Sequence, residues 1–183
     1  MQFTNIKTYP LSQSQLGIYL EYIQHPESMQ YNLPYHVRFS SNIDVEKLKC
    51  AIESVIETYP VFKTRLIIHN GELRQCPDFN LQIDIPVIHV AEKEVEQHIS
   101  QFIRPFDLHK DALSRFLLIK TPMSLHLVFD IHHIIADGSS DQLLIWYISL
   151  AYSGQPLLKE TVSLYDYAEQ EELTFRTLPY EQS

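Results

Sequence analysis

The chain has 183 residues, of which 45% are hydrophobic, and its formal net charge is −9. This length and this apolar fraction suit one domain with its own core. Nucleic acids and anionic membrane surfaces are bound by clustered Lys and Arg, so the acidic balance argues against both as partners. The first residues, MQFTNIKTYPLSQSQ, contain no apolar signal segment, and no run of about 20 apolar residues follows them. The sequence therefore predicts a cytoplasmic protein.

The first third of the chain predicts two helices with an extended segment between them. Ser12 and Gln15 have the spacing of a capping box, which marks a helix start. The segment YNLPYHVRFS, which begins at Tyr31, is expected to be extended. Asp44 is suited to cap a second helix, which Pro60 ends. The inward faces are predicted to hold Leu16, Tyr19, Leu20 and Ile23 in the first helix and Val45, Leu48, Ile52, Val55, Ile56 and Tyr59 in the second.

The middle of the chain predicts strands. VFKTRLII and LRQCP flank the segment Asn70–Glu72, whose Asn-Gly pair is typical of a tight hairpin turn. The later segment LQIDIPVIHV is apolar enough for a strand. Because Pro86 lacks a backbone donor, this strand is expected at a sheet edge.

The rest of the chain predicts a helix, two paired strands and two further helices. A third helix is expected over about Ala91–Ile103, and the strands SRFLLIK and SLHLVFDIHH should pair around a tight turn at Thr121–Ser124. A fourth helix follows Gly138, and a fifth begins near Ser163. This order predicts an α/β domain of the α+β type, with a mixed, mostly antiparallel sheet flanked by helices. The buried side chains of the fourth helix are predicted to be Leu143, Tyr147, Leu150 and Ala151.

The stretch IHHIIADGSSDQLL places two histidines side by side at the end of a predicted strand. Side chains alternate between the two faces of a strand, so His132 and His133 are expected to point apart. Two ligands on opposite faces are poorly placed to share one metal ion, and no third ligand follows at a metal-binding spacing, so a metal site is not expected. Ser139 and Ser140 lack the GxSxG turn of a serine hydrolase and are better suited to a helix start.

His133 is the better catalytic candidate of the two histidines. It ends an apolar row just before a turn, where functional groups are often held, and a neutral imidazole accepts protons near pH 7. A satisfied core histidine is the alternative. Asp137 either binds local amides in the turn or pairs with a cation and so keeps His133 aimed. Gly138 is expected to supply backbone angles that other residues resist.

Four segments, taken together, resemble the motifs of one family. HHIIADG is similar to an HHxxxDG motif, and LSQSQLGIYLEYIQ is similar to a Ser-x-x-Gln motif that is followed by an aromatic residue. The stretch from YNLPYHVRF to KTRL resembles the segment that leads to the second motif, and LYDYAEQE resembles a Y-DYA segment. These motifs, in this order, resemble the condensation domains of nonribosomal peptide synthetases over nearly the whole chain.

Two departures from the family pattern concern the candidate site. The second motif normally ends in Leu-Arg-Thr-x-Phe, whereas this chain has FKTRL, with Lys63 at the expected arginine and Arg65 two residues later. One of these two cations is predicted to pair with Asp137 and so organise the site. Ser139 stands where the family often has Trp, which leaves the stereochemical subtype open.

The resemblance implies an acyl transfer between two thioesters. A donor acyl or peptidyl group and an acceptor aminoacyl group are carried on the 4′-phosphopantetheine arms of two peptidyl carrier protein domains, and the acceptor amine attacks the donor. His133 is then the catalytic residue, either as a base or as a group that positions the amine. His132, Asp137 and Gly138 are expected to organise the site. No cofactor is expected to bind this chain directly, and an adjacent adenylation domain is implied as a further partner.

Condensation domains consist of two lobes that resemble chloramphenicol acetyltransferase, and residues 1–183 resemble the N-terminal lobe alone. The chain is therefore expected to be an inactive fragment that needs the C-terminal lobe as its partner. Two alternatives stay open. One is an epimerisation domain or a stand-alone acyltransferase with the same HHxxxDG motif, and the other is a catalytically silent module that docks carrier proteins.

Overall fold

The computed structural model describes residues 7–177, and its helices and strands follow one another in the predicted order. The helices are α1 Gln13–Gln24, α2 Val45–Thr58, α3 Val95–Phe102, α4 Ser140–Tyr152 and α5 Leu164–Thr177. The strands are β1 Asn32–Ser40, β2 Thr64–His69, β3 Glu72–Pro77, β4 Val87–His89, β5 Ser114–Lys120 and β6 Ser124–His132. Short 3₁₀ turns cover Pro60–Lys63 and Glu92–Glu94. No helix in this part of the chain has the length and apolar character needed to span a bilayer.

The strands form two separate sheets. The larger has the order β1-β6-β5-β4, in which β6 is antiparallel to both of its neighbours and β4 is parallel to β5. The hairpin β2–β3 forms a sheet of its own. A mixed, mostly antiparallel sheet flanked by helices is thereby confirmed. So is the edge position of the segment around Pro86, although its strand begins only at Val87.

Short-range sequence signals are reproduced closely. Ser12 and Gln15 form the predicted capping box of α1. The Asp44 side chain accepts a hydrogen bond from the Lys47 N–H at 3.0 Å, as a helix cap does. Asn70 and Gly71 have φ angles of 52° and 83°, which the two central positions of a tight hairpin turn require. These features follow from residues a few positions apart, which is why the sequence predicts them well.

Strands β5 and β6 lie at the centre of the molecule and are buried over almost their whole length. One face of these strands packs on α2 and α4, and the other packs on α3. Fully burying one large apolar side chain contributes about 1.5–3 kcal/mol, so this central pair contributes strongly to the stability of the fold. The HHIIADG segment leaves the core at the end of β6.

Two predicted helix faces are wrong in part. In α4 the buried side chains are Leu144 and Ile148, whereas Leu143 is 48% exposed. The run LLIWYI is apolar on every side of the helix, so its periodicity does not define a face. In α1, Leu20 and Ile23 are 55% and 52% exposed, and its one buried side chain is a glutamine.

Candidate functional site

His133 is the first residue beyond β6. Its N–H donates to the Tyr31 carbonyl oxygen at 2.8 Å, which extends the pairing between β1 and β6 by one residue. The Tyr31 ring meets the imidazole edge-on, with ring centroids 6.3 Å apart and an interplanar angle of 88°. His133 is half-buried. A reachable imidazole on a fixed backbone is what proton transfer or substrate positioning requires.

His132 has a different environment. It is only 5% exposed, and its ring lies edge-on to Phe106 with a centroid distance of 5.5 Å. Its Nδ1 accepts the Ile134 N–H at 3.2 Å, so the proton of the neutral ring is on Nε2. Burial lowers the pKa of His132 to about 4, and the neighbouring His133 and Arg115 act in the same direction. His132 is thus a buried, neutral ring that bonds to the turn after β6.

Asp137 stabilises the start of α4. Its Oδ1 accepts hydrogen bonds from the Ser139 N–H at 3.1 Å, the Ser139 hydroxyl at 2.9 Å and the Ser140 hydroxyl at 2.8 Å. These bonds, that of the Ser140 hydroxyl first, lower the pKa of the Asp137 carboxyl. The side chain is exposed. Of the two alternatives for this residue, binding to local groups in the turn is the one that the structure contains.

The predicted ion pair of Asp137 with Lys63 or Arg65 is wrong. Lys63 is buried and pairs with Glu57, while the Arg65 Nε donates to the Asp78 carboxylate at 2.8 Å. Lys63 ends a 3₁₀ turn instead of lying on a strand, and this turn follows directly on the helix that carries Glu57. Arg65 lies on β2, whose partner strand leads straight into Asp78. Both cations therefore bind acidic residues next to the β2–β3 sheet.

The special backbone angles expected for Gly138 are absent. Its backbone is not left-handed, and a Cβ built on it would meet no atom of the described residues within 4 Å. Among residues 7–177 the glycines with positive φ are Gly71 and Gly154. Residues 7–177 therefore give no reason for a glycine at position 138, and the backbone there lies open.

Gln15 belongs to the site, although its sequence position suggested only a helix cap. It is 4% exposed, and its Nε2 donates to the Ile134 carbonyl at 2.9 Å, directly after His133. The side chains of Gln15 and Gln75 also bond reciprocally, at 3.0 and 2.9 Å. The Ser-x-x-Gln segment thus contacts the HHIIADG segment. No periodic pattern in the sequence reveals this contact, because it joins residues more than a hundred positions apart.

A buried polar cluster behind the histidines was missed as well. The Asp130 carboxylate has no exposed surface, and its Oδ2 accepts the Asn32 side-chain N–H at 2.7 Å. The Arg115 guanidinium lies 3.6 Å from the same oxygen. A charged residue inside the otherwise apolar strand segment LVFDI was the available signal, since buried charges are rare unless they are paired.

A cavity of about 170 Å³ lies beside the HHIIADG segment. Ile135 and Ala136 of this segment line it, together with Ser140, Leu144 and Tyr147 of α4. Mostly apolar walls suit an apolar group better than a charged one.

Comparison with known proteins gives consistent results. The family model of the condensation domain matches residues 5–176. Surfactin synthase subunit 1 of Bacillus subtilis (strain 168) is 34% identical over 164 residues, which cover 88% of this chain and 4% of that protein. Gramicidin S synthase 2 of Brevibacillus brevis is 31% identical over 161 residues, which cover 87% and 4%. The chain thus spans a small part of the length of these relatives.

Solved structures share the fold at lower identity. The starter condensation domain of rhizomide synthetase RzmA superposes with a TM-score of 0.77 at 20% identity, over 94% of this chain and 44% of that one. The X-domain from teicoplanin biosynthesis gives a TM-score of 0.83 at 19% identity, over 100% of this chain and 42% of that one. Because the family model covers nearly the whole sequence and the fold agrees, the chain belongs to the condensation domain family of nonribosomal peptide synthetases.

Proposed function

We propose that this chain supplies one half of the active site of an amide-forming condensation domain, with His133 as its catalytic residue. One observation carries the proposal. The half-buried His133 stands at the end of a buried strand, with its own N–H bound by Tyr31 and the next carbonyl bound by Gln15. These two contacts hold the backbone on both sides of the imidazole.

The reaction joins an acceptor amine to a donor thioester carbonyl. A C–N bond forms, the nitrogen loses a proton, and the C–S bond breaks to release a thiol that gains a proton. An α-amine has a pKa of about 7.7–8.0, so a useful share is already nucleophilic at neutral pH. Positioning is worth about 7–11 kcal/mol in well-oriented reactions, so His133 acts either as the base or as the group that holds the amine.

The state of His132 supports the assignment to its neighbour. With a pKa of about 4, His132 would bind a proton too weakly to act as a base near neutral pH. Its Nδ1 is moreover occupied by the Ile134 N–H. His133 is therefore the imidazole proposed to face substrate.

The proposed partners follow from the family. Donor and acceptor carrier proteins would present their thioesters on phosphopantetheine arms, an adenylation domain would lie nearby, and a C-terminal lobe would cover His133. The solved relatives support the last point, because this chain covers only 44% and 42% of their length. Cytoplasmic location stays a prediction from the sequence.

The test supplies both loaded carrier proteins to the domain that contains this chain and its C-terminal lobe. Mass spectrometry should detect the joined product. The matched control is an acceptor carrier whose amino group is acetylated, because it has no nucleophile. Inversion of the α-carbon of a carrier-bound amino acid, without amide formation, would favour an epimerisation domain. Binding of the carrier proteins without either reaction would favour a docking module. Robust joining by residues 1–183 alone would show that the chain is a complete enzyme, against the interpretation as one lobe.

A further inference from the structure

Asn32, Asp130 and Arg115, called the anchor cluster below, lie on three adjacent strands at the end of the sheet that carries the histidines. Their exposed fractions are 8%, 0% and 8%. Taking a carboxylate and a guanidinium out of water is costly, and a buried ion pair commonly gives no net gain in stability over apolar residues of the same shape. Fold stability alone is therefore a poor explanation for this cluster.

The hydrogen bonds of the anchor cluster fix the orientation of the Asn32 side-chain amide. The Asn32 Nδ2 donates to the Asp130 Oδ2 at 2.7 Å and to the Arg104 carbonyl at 2.9 Å, so both amide hydrogens are used. Turning the amide over would set its oxygen against these two acceptors. The Arg115 guanidinium donates to the carbonyls of Arg104 at 2.7 Å and Pro105 at 2.8 Å. Strands β1, β5 and β6 and the segment before β5 are thus joined in a fixed geometry.

The anchor cluster is connected to His133 through the backbone. Asn32 directly follows Tyr31, whose carbonyl accepts the His133 N–H and whose ring meets the imidazole edge-on. Asp130, on β6, precedes His133 by three residues, and Asn32 pairs with His132 in the strand register. Each end of the Tyr31–His133 contact therefore lies within three residues of a cluster member.

A second connection runs through side chains. The Arg115 guanidinium carbon lies 3.5 Å from the centre of the Phe106 ring, and the Phe106 ring packs edge-on against His132. Cation and ring stacking of this kind fixes the plane of both groups. The anchor cluster therefore contacts the histidine pair both through the backbone and through the Phe106 ring.

We propose that the anchor cluster positions His133, with Asn32 as the positioning residue. Asp130 accepts a hydrogen bond from the Asn32 amide, and Arg115 lies against Asp130 and donates to the Arg104 carbonyl that the same amide contacts. The cluster does not touch substrate; it sets the place of Tyr31 and, through the Tyr31 carbonyl and ring, the place of the imidazole. Its importance for catalysis rests on the proposed role of His133, whereas the positioning itself is a property of this chain.

The test follows the His133 backbone amide and ring by NMR in the isotope-labelled full chain. Asn32→Ala removes both donated hydrogen bonds. It should accelerate hydrogen exchange of the His133 amide at least tenfold and shift the ring resonances. Asp130→Asn keeps an oxygen acceptor and almost the same shape, whereas Asp130→Leu has no acceptor. The His133 resonances of Asp130→Asn should therefore lie closer to those of the wild type than the resonances of Asp130→Leu do. If Asn32→Ala does not fold, Asn32→Ser replaces it. Its hydroxyl is a smaller donor, and the same changes in His133 amide exchange and ring resonances are expected.

A matched control lies at the far end of the same strands. Ser124 and His126 are 1% and 4% exposed, and His126 bonds to the Ser124 hydroxyl at 2.8 Å and to His36 at 2.7 Å. Ser124→Ala should lower the melting temperature and leave the His133 signals unchanged. A merely structural anchor cluster would behave in the same way as this control.

In the complete domain, Asn32→Ala should lower kcat by about 10–100-fold, since misplacement by about 1 Å can cost 10²-fold, and should leave KM for the loaded carriers unchanged. Unaltered His133 resonances in folded Asn32→Ala, or an effect on KM alone, would overturn the positioning proposal. Full activity of His133→Ala with shifted resonances in Asn32→Ala would overturn the proposed function and leave the positioning intact.

Discussion

The buried His132 should make the fold sensitive to acid. In the folded chain its pKa is about 4, against an ordinary value of 6.5, because burial disfavours the charged ring. The unfolded chain therefore binds the proton first as the pH falls. The free energy of unfolding should decrease between pH 6.5 and pH 4, and no penalty should remain above pH 7.

The magnitude follows from the two pKa values. The difference between 6.5 and about 4, at 1.36 kcal/mol per pKa unit, amounts to about 3 kcal/mol once both states are protonated. At pH 5 the unfolded ring is almost fully protonated and the folded ring is still mostly neutral, so the loss is about 2 kcal/mol. This is a large part of the stability of a typical domain.

His132→Asn isolates this effect, because the Asn oxygen can replace Nδ1 as the acceptor for Ile134 and cannot take up a proton in this range. Urea unfolding at pH 7.5 and pH 5.0 should show that the wild type loses about 2 kcal/mol more than His132→Asn. The control is His89→Asn on the edge strand β4, where the side chain is exposed, and it should follow the wild-type curve. Equal losses in the wild type and His132→Asn would refute the reasoning.

Three further predictions concern stability and can be measured by urea unfolding at pH 7.5. Asp137→Ala removes the hydrogen bonds to Ser139 and Ser140 and should cost about 0.5–1.5 kcal/mol, the net contribution of a typical hydrogen bond, and Asp137→Asn should cost less; a loss of about 3–5 kcal/mol would instead indicate a buried ion pair. Gln15→Ala leaves the Gln75 amide and the Ile134 carbonyl without this partner and should cost about 1–3 kcal/mol for each group; a change within experimental error would show that these contacts are unimportant. Leu144→Ala should cost about 2–5 kcal/mol and Leu143→Ala no more than about 0.5 kcal/mol, and the opposite ranking would restore the helix face that the sequence predicted.

Features that depend on neighbouring residues were predictable from the sequence. The capping box at Ser12, the cap at Asp44 and the Asn70–Gly71 turn were all foreseen because side chain and backbone interact within a few positions. The pairing of β5 with β6 was foreseen as well, because a short turn leaves antiparallel strands little choice.

Features that depend on the arrangement of distant elements were not predictable. The ion pair expected for Asp137 presupposed that the FKTRL segment lies beside the HHIIADG segment. In the structure β2 belongs to a separate sheet, and Lys63 and Arg65 bind acidic residues close to them. The face of α4 was ambiguous because its apolar run has no polar side. The contacts of Gln15 with Ile134 and of Asn32 with Asp130 join segments about a hundred residues apart.

The central claim is that His133 acts directly on the reacting amine and thioester. The most direct measurement is the single-turnover rate of amide formation in the complete domain, with both carrier proteins loaded and bound at saturation, so that binding and product release do not contribute. His133→Ala should lower this rate by about 10²–10⁴-fold, as the loss of a general base does, while His89→Ala keeps the wild-type rate. A wild-type rate in the His133→Ala domain would contradict the account.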